Sequence, residues 1–249
     1  MNHPLTIITG SSRGLGLAMA AQCLARGDAV IGIARHDSNV LAAQAAATGA
    51  QLWQWSADLA DASALCDRLH EHLAGRAPAA SVTLINNAAV LPRIAALRDV
   101  PGADIAHAIS VGLTATMRLT AAFLRATADW PCPRRVLNIS SGNGRRAMAS
   151  QATYSAVKAG MDHFSRCVAL EEAAQPNGAK IVSLAPGIID TDMQTHLRAT
   201  PATDFPAHAQ FVEFKASGQL WTPDAAAARV LAYLDRADFG HNPVADVRE

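Results

Sequence analysis

The sequence has no excess of either charge, because 21 lysines and arginines balance 21 aspartates and glutamates over 249 residues. A protein that binds nucleic acid or a membrane surface usually carries a basic excess, so this balance argues against both partners. No apolar stretch is long enough to span a bilayer. The chain enters a predicted strand directly after Pro4, so no signal peptide is expected.

Cysteine is scarce, and its spacing is neither paired nor typical of a metal site. The four cysteines are Cys23, Cys66, Cys132 and Cys167. Scattered thiols of this kind predict a reduced, cytoplasmic protein with no metal centre. The chain also lacks internal repeats, low-complexity tracts and linkers, so residues 1–249 are predicted to form one domain.

Half of the residues are hydrophobic, and many fall into short apolar runs that alternate with helical patterns. Such runs are typical of strands buried on both faces of a parallel sheet. The predicted strands cover residues 5–9, 29–34, 51–55, 82–85, 135–140 and 180–185, with a seventh before Asp246. This order predicts an α/β fold, a doubly wound parallel sheet of the Rossmann type, with a partly helical substrate loop after the sixth strand.

A glycine-rich turn, Gly10-Ser11-Ser12-Arg13-Gly14-Leu15-Gly16, joins the first predicted strand to a helical pattern. A strand, a turn of this kind and a helix together present the amides of a helix N-terminus to a pyrophosphate. Glycine permits the tight turn and the close approach of backbone to ligand. The motif therefore predicts a dinucleotide site.

The second predicted strand ends in Arg35, where a site selective for NAD would carry an acidic residue for the ribose 2′-hydroxyl. Arg13 supplies another cation in the glycine-rich turn, and two guanidinium groups suit a 2′-phosphate. The alternative is that both are solvated surface arginines. We favour NADP(H) as the cofactor.

Tyr154 and Lys158 lie four residues apart on a predicted helix, which places them on one face. A fixed ammonium beside a phenol is expected to lower the pKa of the phenol toward working pH. Ser141 stands at the end of the fifth predicted strand, where its hydroxyl could bind a substrate oxygen. Alone, a tyrosine and a lysine at this spacing are more often an amphipathic face.

Together these motifs resemble the short-chain dehydrogenase/reductase family along the whole chain. The matching pieces are Thr9-Gly10 through Gly16, Asp58-Leu59, Asn86-Asn87-Ala88, Ser141, Tyr154 with Lys158, and Pro186-Gly187 with Thr191. Within the family the chain is most similar to the sepiapterin reductase and benzil reductase branch. That likeness rests on residues 138–141, 190–193 and 244–247.

The resemblance implies a role for each matching residue. Tyr154 would donate the proton to the carbonyl oxygen, Lys158 would lower its pKa and hold the nicotinamide ribose, and Ser141 would orient the carbonyl. The cofactor contacts would come from Gly10, Ser12, Arg13, Gly14, Leu15, Gly16 and Arg35 toward the phosphates and adenosine, Asp58 and Leu59 at the adenine, Asn87 and Ala88 at the ribose, and Pro186, Ile189 and Thr191 at the nicotinamide.

Two positions are less certain matches to the family pattern. Asp246 resembles an aspartate that anchors the substrate in the pterin-reducing relatives, but it could instead pair with Arg248. Gly112 stands where many members carry an asparagine that holds a relay water. In this chain a water, Ser110 or Thr114 would have to substitute, or catalysis would be impaired.

The resemblance implies an NADPH-dependent carbonyl reductase for a small ketone or 1,2-diketone, benzil-like or carried on a pterin side chain. It also implies a homodimer or homotetramer that pairs through residues 103–128 and 154–174. The alternative is a non-catalytic NADP-binding protein that senses redox state through a protein partner. Gly112 favours this alternative, whereas Ser141, Tyr154 and Lys158 favour the enzyme.

Overall fold

The computed structural model describes residues 3–249. Its centre is one sheet of seven strands: β1 Leu5–Thr9, β2 Ala29–Ala34, β3 Leu52–Ser56, β4 Val82–Asn86, β5 Arg134–Ile139, β6 Lys180–Ala185 and β7 Val244–Asp246. All neighbouring strands pair in parallel, in the order β3-β2-β1-β4-β5-β6-β7. The predicted doubly wound parallel sheet is confirmed.

The helices cover both faces of this sheet. They are α1 Gly14–Ala25, α2 Asn39–Thr48, α3 Ser63–Ala74, α4 Gly102–Ile109, α5 Ala115–Ala126, α6 Ala152–Ala173, α7 Asp192–Ala199, α8 His208–Ala216 and α9 Pro223–Leu234. One apolar cluster lies between the sheet and α1, α2 and α9, and a second between the sheet and α3, α5 and α6. Burial on both faces explains why most strands are apolar throughout rather than alternating.

The chain reverses its direction of winding between β1 and β4. Leu5 in β1 pairs with Ala29 of β2 on one side and with Val82 of β4 on the other. In open parallel sheets, ligands bind outside the carboxyl ends of the strands at such a switch point. The glycine-rich turn follows β1 at this place.

The helix predicted over residues 103–128 is interrupted. α4 ends at Ile109, Ser110–Thr114 form a π-helical turn, and α5 begins at Ala115. A π-turn inserts an extra residue into the hydrogen-bond ladder and often marks a functional site. Here the interruption is centred on Gly112.

The segment between β6 and α9 is partly helical, as the sequence predicted. α7 and α8 lie within it and bury their own apolar cluster, separate from the two that flank the sheet. The buried members of this cluster are Ile94, Leu197, Phe205 and Phe211. The clustered aromatic residues therefore place a helical cap over the carboxyl ends of β4 to β6.

Cys23, Cys66 and Cys132 are buried free thiols, and Cys167 is exposed and also free. Burial raises the pKa of the Cys23 thiol to about 12, which keeps it protonated. Over residues 3–249, the structure has no helix with the length and apolar character needed to cross a membrane.

Candidate active site

Hydrogen bonds tie the ends of β1 and β4 together beneath the glycine-rich turn. The Thr9 hydroxyl accepts from the backbone N–H groups of Asn87 and Ala88, each at 3.0 Å. The Asn87 side-chain amide donates to the Thr9 carbonyl at 2.9 Å. Asn87 and Ala88 therefore border the turn, where the sequence predicted them.

The glycine-rich turn has no room for side chains at its closest points. A Cβ atom at Gly16 would overlap the carbonyl oxygen of Gly10, and Gly10 itself has a φ of +71°. The first turn of α1 follows directly, and the N-cap residue Arg13 makes no side-chain cap to its amides. The exposed backbone and the free amides fit a bound pyrophosphate.

The loop after β6 meets this turn from the other side. Thr191 begins α7, and a Cβ atom at Gly14 would lie 3.6 Å from the Thr191 Cγ2 atom. Pro186 and Ile189 are buried just before it. Of the three residues that the resemblance assigned to the nicotinamide end, Thr191 thus borders the glycine-rich turn, and Ile189 belongs to the same apolar cluster as Leu15.

The residues predicted at the adenosine end occupy different environments. Arg35 is exposed after β2, and the Arg13 guanidinium lies 3.0 Å from the Asp192 carboxylate, with both side chains largely exposed. Asp58 uses its carboxylate to cap a short 3-10 turn by accepting from the Ala60 N–H at 2.9 Å, and Leu59 is buried. Two accessible cations at this end fit a phosphate group.

The catalytic candidates Ser141 and Tyr154 come together through the fold. Ser141 follows β5 and accepts a hydrogen bond from the Asn143 N–H at 3.2 Å, so its hydroxyl is held at the start of a 3-10 turn. Tyr154 lies in the first turn of α6, close enough to the Ser141 hydroxyl for that group to lower its pKa. A carbonyl oxygen placed between these two groups would meet two hydrogen-bond donors.

Burial raises the pKa of Tyr154, and the nearby Ser141 hydroxyl only partly offsets this. The sequence predicted a lowered pKa because of Lys158, but the Lys158 ammonium points elsewhere. It donates to the Ile139 carbonyl at 2.6 Å and lies 5.7 Å from the centre of the Tyr154 ring. The phenol is therefore protonated at neutral pH, as a proton donor must be.

Lys158 is buried, and burial lowers its pKa to about 8. The carboxylate of Asp162 acts in the opposite direction because its charge favours the ammonium form. The side chain is thus charged at neutral pH in an enclosed place beside the tyrosine.

Asp162 is a site residue that the motifs did not reveal. Its buried carboxylate accepts from Ser140 at 2.6 Å, from Ser183 at 2.7 Å and from the Arg145 guanidinium at 3.1 Å. Arg145 also donates to the Ala245 carbonyl at 2.8 Å. The one signal in the sequence is spacing, since Asp162 lies one helical turn after Lys158.

The space beside Gly112 is filled by a neighbouring side chain. A Cβ atom at this position would lie 2.6 Å from the Val157 Cγ1 atom, closer than packed carbon atoms approach. Val157 is buried between Tyr154 and Lys158 in sequence, and Thr114 is exposed. Thr114 therefore does not take the place of the family's asparagine, and Val157 occupies the space of its Cβ.

Asp246 lies buried at the end of β7. Its two carboxylate oxygens accept from the Arg248 guanidinium at 2.7 and 2.5 Å. This hydrogen bonding lowers the pKa of Asp246. The geometry favours the Arg248 alternative over a carboxylate free to anchor a substrate.

Comparison with known proteins gives one family. The model of the short chain dehydrogenase family matches residues 4–202. A benzil reductase ((S)-benzoin forming) of Bacillus cereus is 33% identical over 98% of this chain and 98% of its own. A second benzil reductase ((S)-benzoin forming), from Bacillus subtilis, is 28% identical over 93% of each chain.

A solved structure shares the architecture. The chain is 26% identical to a putative NAD(P) dependent gluconate 5-dehydrogenase from Beutenbergia cavernae with bound NADP, with a TM-score of 0.83. The match covers 99% of this chain and 96% of the other.

Replacing Asp162 with Asn is expected to move the alkaline limb of kcat/KM to lower pH. That profile reports ionisations of the free enzyme, and Lys158 loses its charge there at about pH 8. Removing the carboxylate lowers the pKa of Lys158, so the ammonium is lost earlier. Arg145→Lys is the control, because it changes the hydrogen bonding of the same loop while both the cation and the carboxylate remain. An unchanged limb in Asp162→Asn would contradict the electrostatic role.

Gly112→Asn is expected to destabilise the protein by about 1–3 kcal/mol, because its Cβ overpacks against Val157. Adding Val157→Ala makes room, so the double variant should lose less stability than the two single changes added together. Thermal unfolding of the four proteins measures this coupling. Gly102→Asn is the matched control, since no atom lies within 4 Å of a Cβ there. Additive effects at positions 112 and 157 would refute the contact.

Proposed function

The chain belongs to the short-chain dehydrogenase family, and from this membership and the site geometry we propose an NADPH-dependent reductase of a small aromatic 1,2-diketone. The chain is an oxidoreductase that acts on C=O and CH–OH groups. The observation that carries the finer proposal is the convergence of Ser141, Tyr154 and buried Lys158 at the carboxyl end of β5.

The substrate class is inferred from the benzil reductases and from the apolar cap. Benzil is a 1,2-diketone with an aromatic ring on each carbonyl carbon. The cap cluster buries Phe205 and Phe211, and half-buried Met148 and Met193 pack against it. Aromatic and thioether side chains suit flat apolar substrates. A pterin is less well supported, because the Asp246 carboxylate is paired with Arg248.

Tyr154, Ser141 and Lys158 each have a separate role in carbonyl reduction. A bound nicotinamide cofactor would supply the hydride for the carbonyl carbon. Tyr154, protonated because of its raised pKa, gives its proton to the carbonyl oxygen, and Ser141 holds that oxygen in place. The charge of Lys158 stabilises the phenolate that remains after the proton has left.

The preference for NADPH is inferred from Arg35 and Arg13. Arg35 is exposed at the end of β2, the position from which an acidic residue would bind a ribose 2′-hydroxyl. Arg13 is paired with Asp192, but both side chains are largely exposed and such pairs are weak. A 2′-phosphate can therefore compete for Arg13, while Arg35 is the principal contact.

We also propose that the protein forms a homodimer or homotetramer and that residues 1–249 are one domain. Three large apolar side chains are exposed on the surface of α4 to α6: Ile109, Met117 and Leu170. Their exposure supports pairing of these helices with a second copy. The two main apolar clusters pack on opposite faces of one sheet, which supports a single domain.

Tyr154→Phe tests the catalytic proposal. The change removes the proton donor and keeps the ring, so NADPH should still bind while kcat for a diketone falls by roughly 10²–10⁴-fold. Absorbance decay of NADPH measures turnover, and quenching of protein fluorescence measures binding. Tyr233→Phe is the matched control at the chain's other tyrosine. A Tyr154→Phe variant as fast as the parent would refute Tyr154 as the proton donor, whereas a parent that binds NADPH and turns over no diketone would favour the non-catalytic, redox-sensing alternative.

Arg35→Asp tests the cofactor preference. A hydrogen bond to a charged group contributes about 1.5–3 kcal/mol, so the ratio of kcat/KM with NADPH to that with NADH should fall roughly tenfold to a hundredfold. Arg125→Asp is the control, because Arg125 is exposed near the end of α5. Equal affinity of the unmutated protein for both cofactors would refute the preference.

A further inference from the structure

Trp221 packs directly against the backbone of the loop that follows β6, residues 186–191. Gly187 in this loop has a φ of +85°, and a Cβ atom there would lie 2.6 Å from the Trp221 Cζ3 atom. Carbon atoms do not approach so closely in ordinary packing. The outer ring of the indole therefore occupies the place that a side chain at Gly187 would take. Both the backbone conformation and this contact require glycine at the position.

Two backbone hydrogen bonds fix the same loop to Trp221. The Trp221 N–H donates to the Ile188 carbonyl at 2.9 Å, and the Asp190 N–H donates to the Trp221 carbonyl at 2.9 Å. Ile189, between them, forms an isolated parallel bridge with Trp221. The side chain and the backbone of one residue thus hold the consecutive loop residues 187–190.

Trp221 is in turn anchored to α9 and, through α9, to α1. Thr222 caps the first turn of α9 with its side chain. The guanidinium carbon of Arg229 in α9 lies 4.1 Å from the centre of the Trp221 ring, a cation–π contact. The Gln22 side-chain amide of α1 donates to the Asp224 carbonyl at 2.9 Å. These contacts connect the loop after β6 to the helix that follows the glycine-rich turn.

The loop also has contacts with the cap. The Asp190 carboxylate accepts from the Lys215 ammonium at 2.5 Å and from the Arg198 guanidinium at 3.5 Å. Lys215 is exposed, and exposed ion pairs contribute little. Asp190 therefore joins the loop to α7 and α8 through its side chain, whereas Trp221 joins the loop backbone to α9. The competing explanation for Trp221 is packing alone, with no effect on a bound cofactor.

We propose that Trp221 is a positioning residue that holds the loop of residues 186–191 in place against the nicotinamide end of the cofactor. The inference rests on the proposed function, in which this loop contacts the nicotinamide. Hydride transfer is efficient only when the two reacting carbons are closely aligned. A rigid indole packed against Gly187 restricts the movement of the loop, and so of the ring that the loop would contact. Trp221 acts through Gly187 and Ile189 rather than on the substrate.

Adenosine 2′,5′-bisphosphate tests this role, because it contains the adenosine end of NADPH and lacks the nicotinamide. Trp221→Leu removes the indole from Gly187. We expect kcat for a 1,2-diketone at saturating NADPH to fall roughly tenfold to a hundredfold, since misplacement by about 1 Å can cost that much. The dissociation constant of the bisphosphate, measured by titration calorimetry, should stay within about twofold.

Trp53→Leu is the matched control. Trp53 lies in β3 at the opposite edge of the sheet from β7, and it also has an arginine over its ring, Arg76 at 4.7 Å. Replacing it should change neither kcat nor the affinity for the bisphosphate. Trp221→Phe is the second variant, for use if the leucine variant does not fold, because its single shorter ring loses the contact at Gly187. Its kcat should also fall, with the affinity for the bisphosphate unchanged.

An unchanged kcat in the Trp221 variants would overturn the role of Trp221 and leave the proposed reductase intact. A fall in kcat accompanied by an equal loss of affinity for the bisphosphate would do the same, because it would indicate a general disturbance of the fold. An unmutated protein that binds the bisphosphate and reduces no diketone would contradict the proposed function, and with it this inference.

Discussion

The buried carboxylate of Asp162 is the interaction on which the geometry of the site depends. It joins the end of β5, the loop that follows β5, β6 and the catalytic helix α6 through Ser140, Arg145 and Ser183. A buried charge is tolerable only when it is fully hydrogen-bonded and paired, and here three donors converge on it. Removing Arg145 would leave the charge uncompensated, and removing either serine would leave a carboxylate oxygen with one hydrogen bond fewer.

The Asp162 carboxylate also affects the pKa of Lys158. Burial lowers that pKa, and the nearby carboxylate opposes the shift because its charge favours the ammonium form. Tyr154 is meanwhile kept protonated by its own burial. The enclosed site therefore holds a neutral phenol beside a cation, an arrangement that suits giving a proton to a developing alkoxide.

Two other features lie near Tyr154 in the sequence: a tight contact between Val157 and Gly112, and a buried amide of Gln151 with an unpaired nitrogen. Val157 fills the space at Gly112, so the departure from the family pattern is compensated by volume from a neighbouring helix. Gln151 differs from this, because its Oε1 atom accepts from Asn143 while its buried Nε2 atom has no hydrogen-bond partner among residues 3–249.

The sequence by itself determined the parallel sheet, the glycine-rich turn and the serine, tyrosine and lysine, because apolar runs, glycine spacing and helical periodicity are local patterns. It also indicated a partly helical segment after β6, which α7 and α8 confirm. It did not determine the π-turn at Gly112 or the direction of the Tyr154 pKa shift. Nor did it reveal the contacts of Asp162 and Val157. Those depend on burial and on contacts between residues distant in the chain, such as Asp162 with Ser183 or Gly112 with Val157. Only the tertiary structure brings such groups within a few ångströms and removes the water that would screen them.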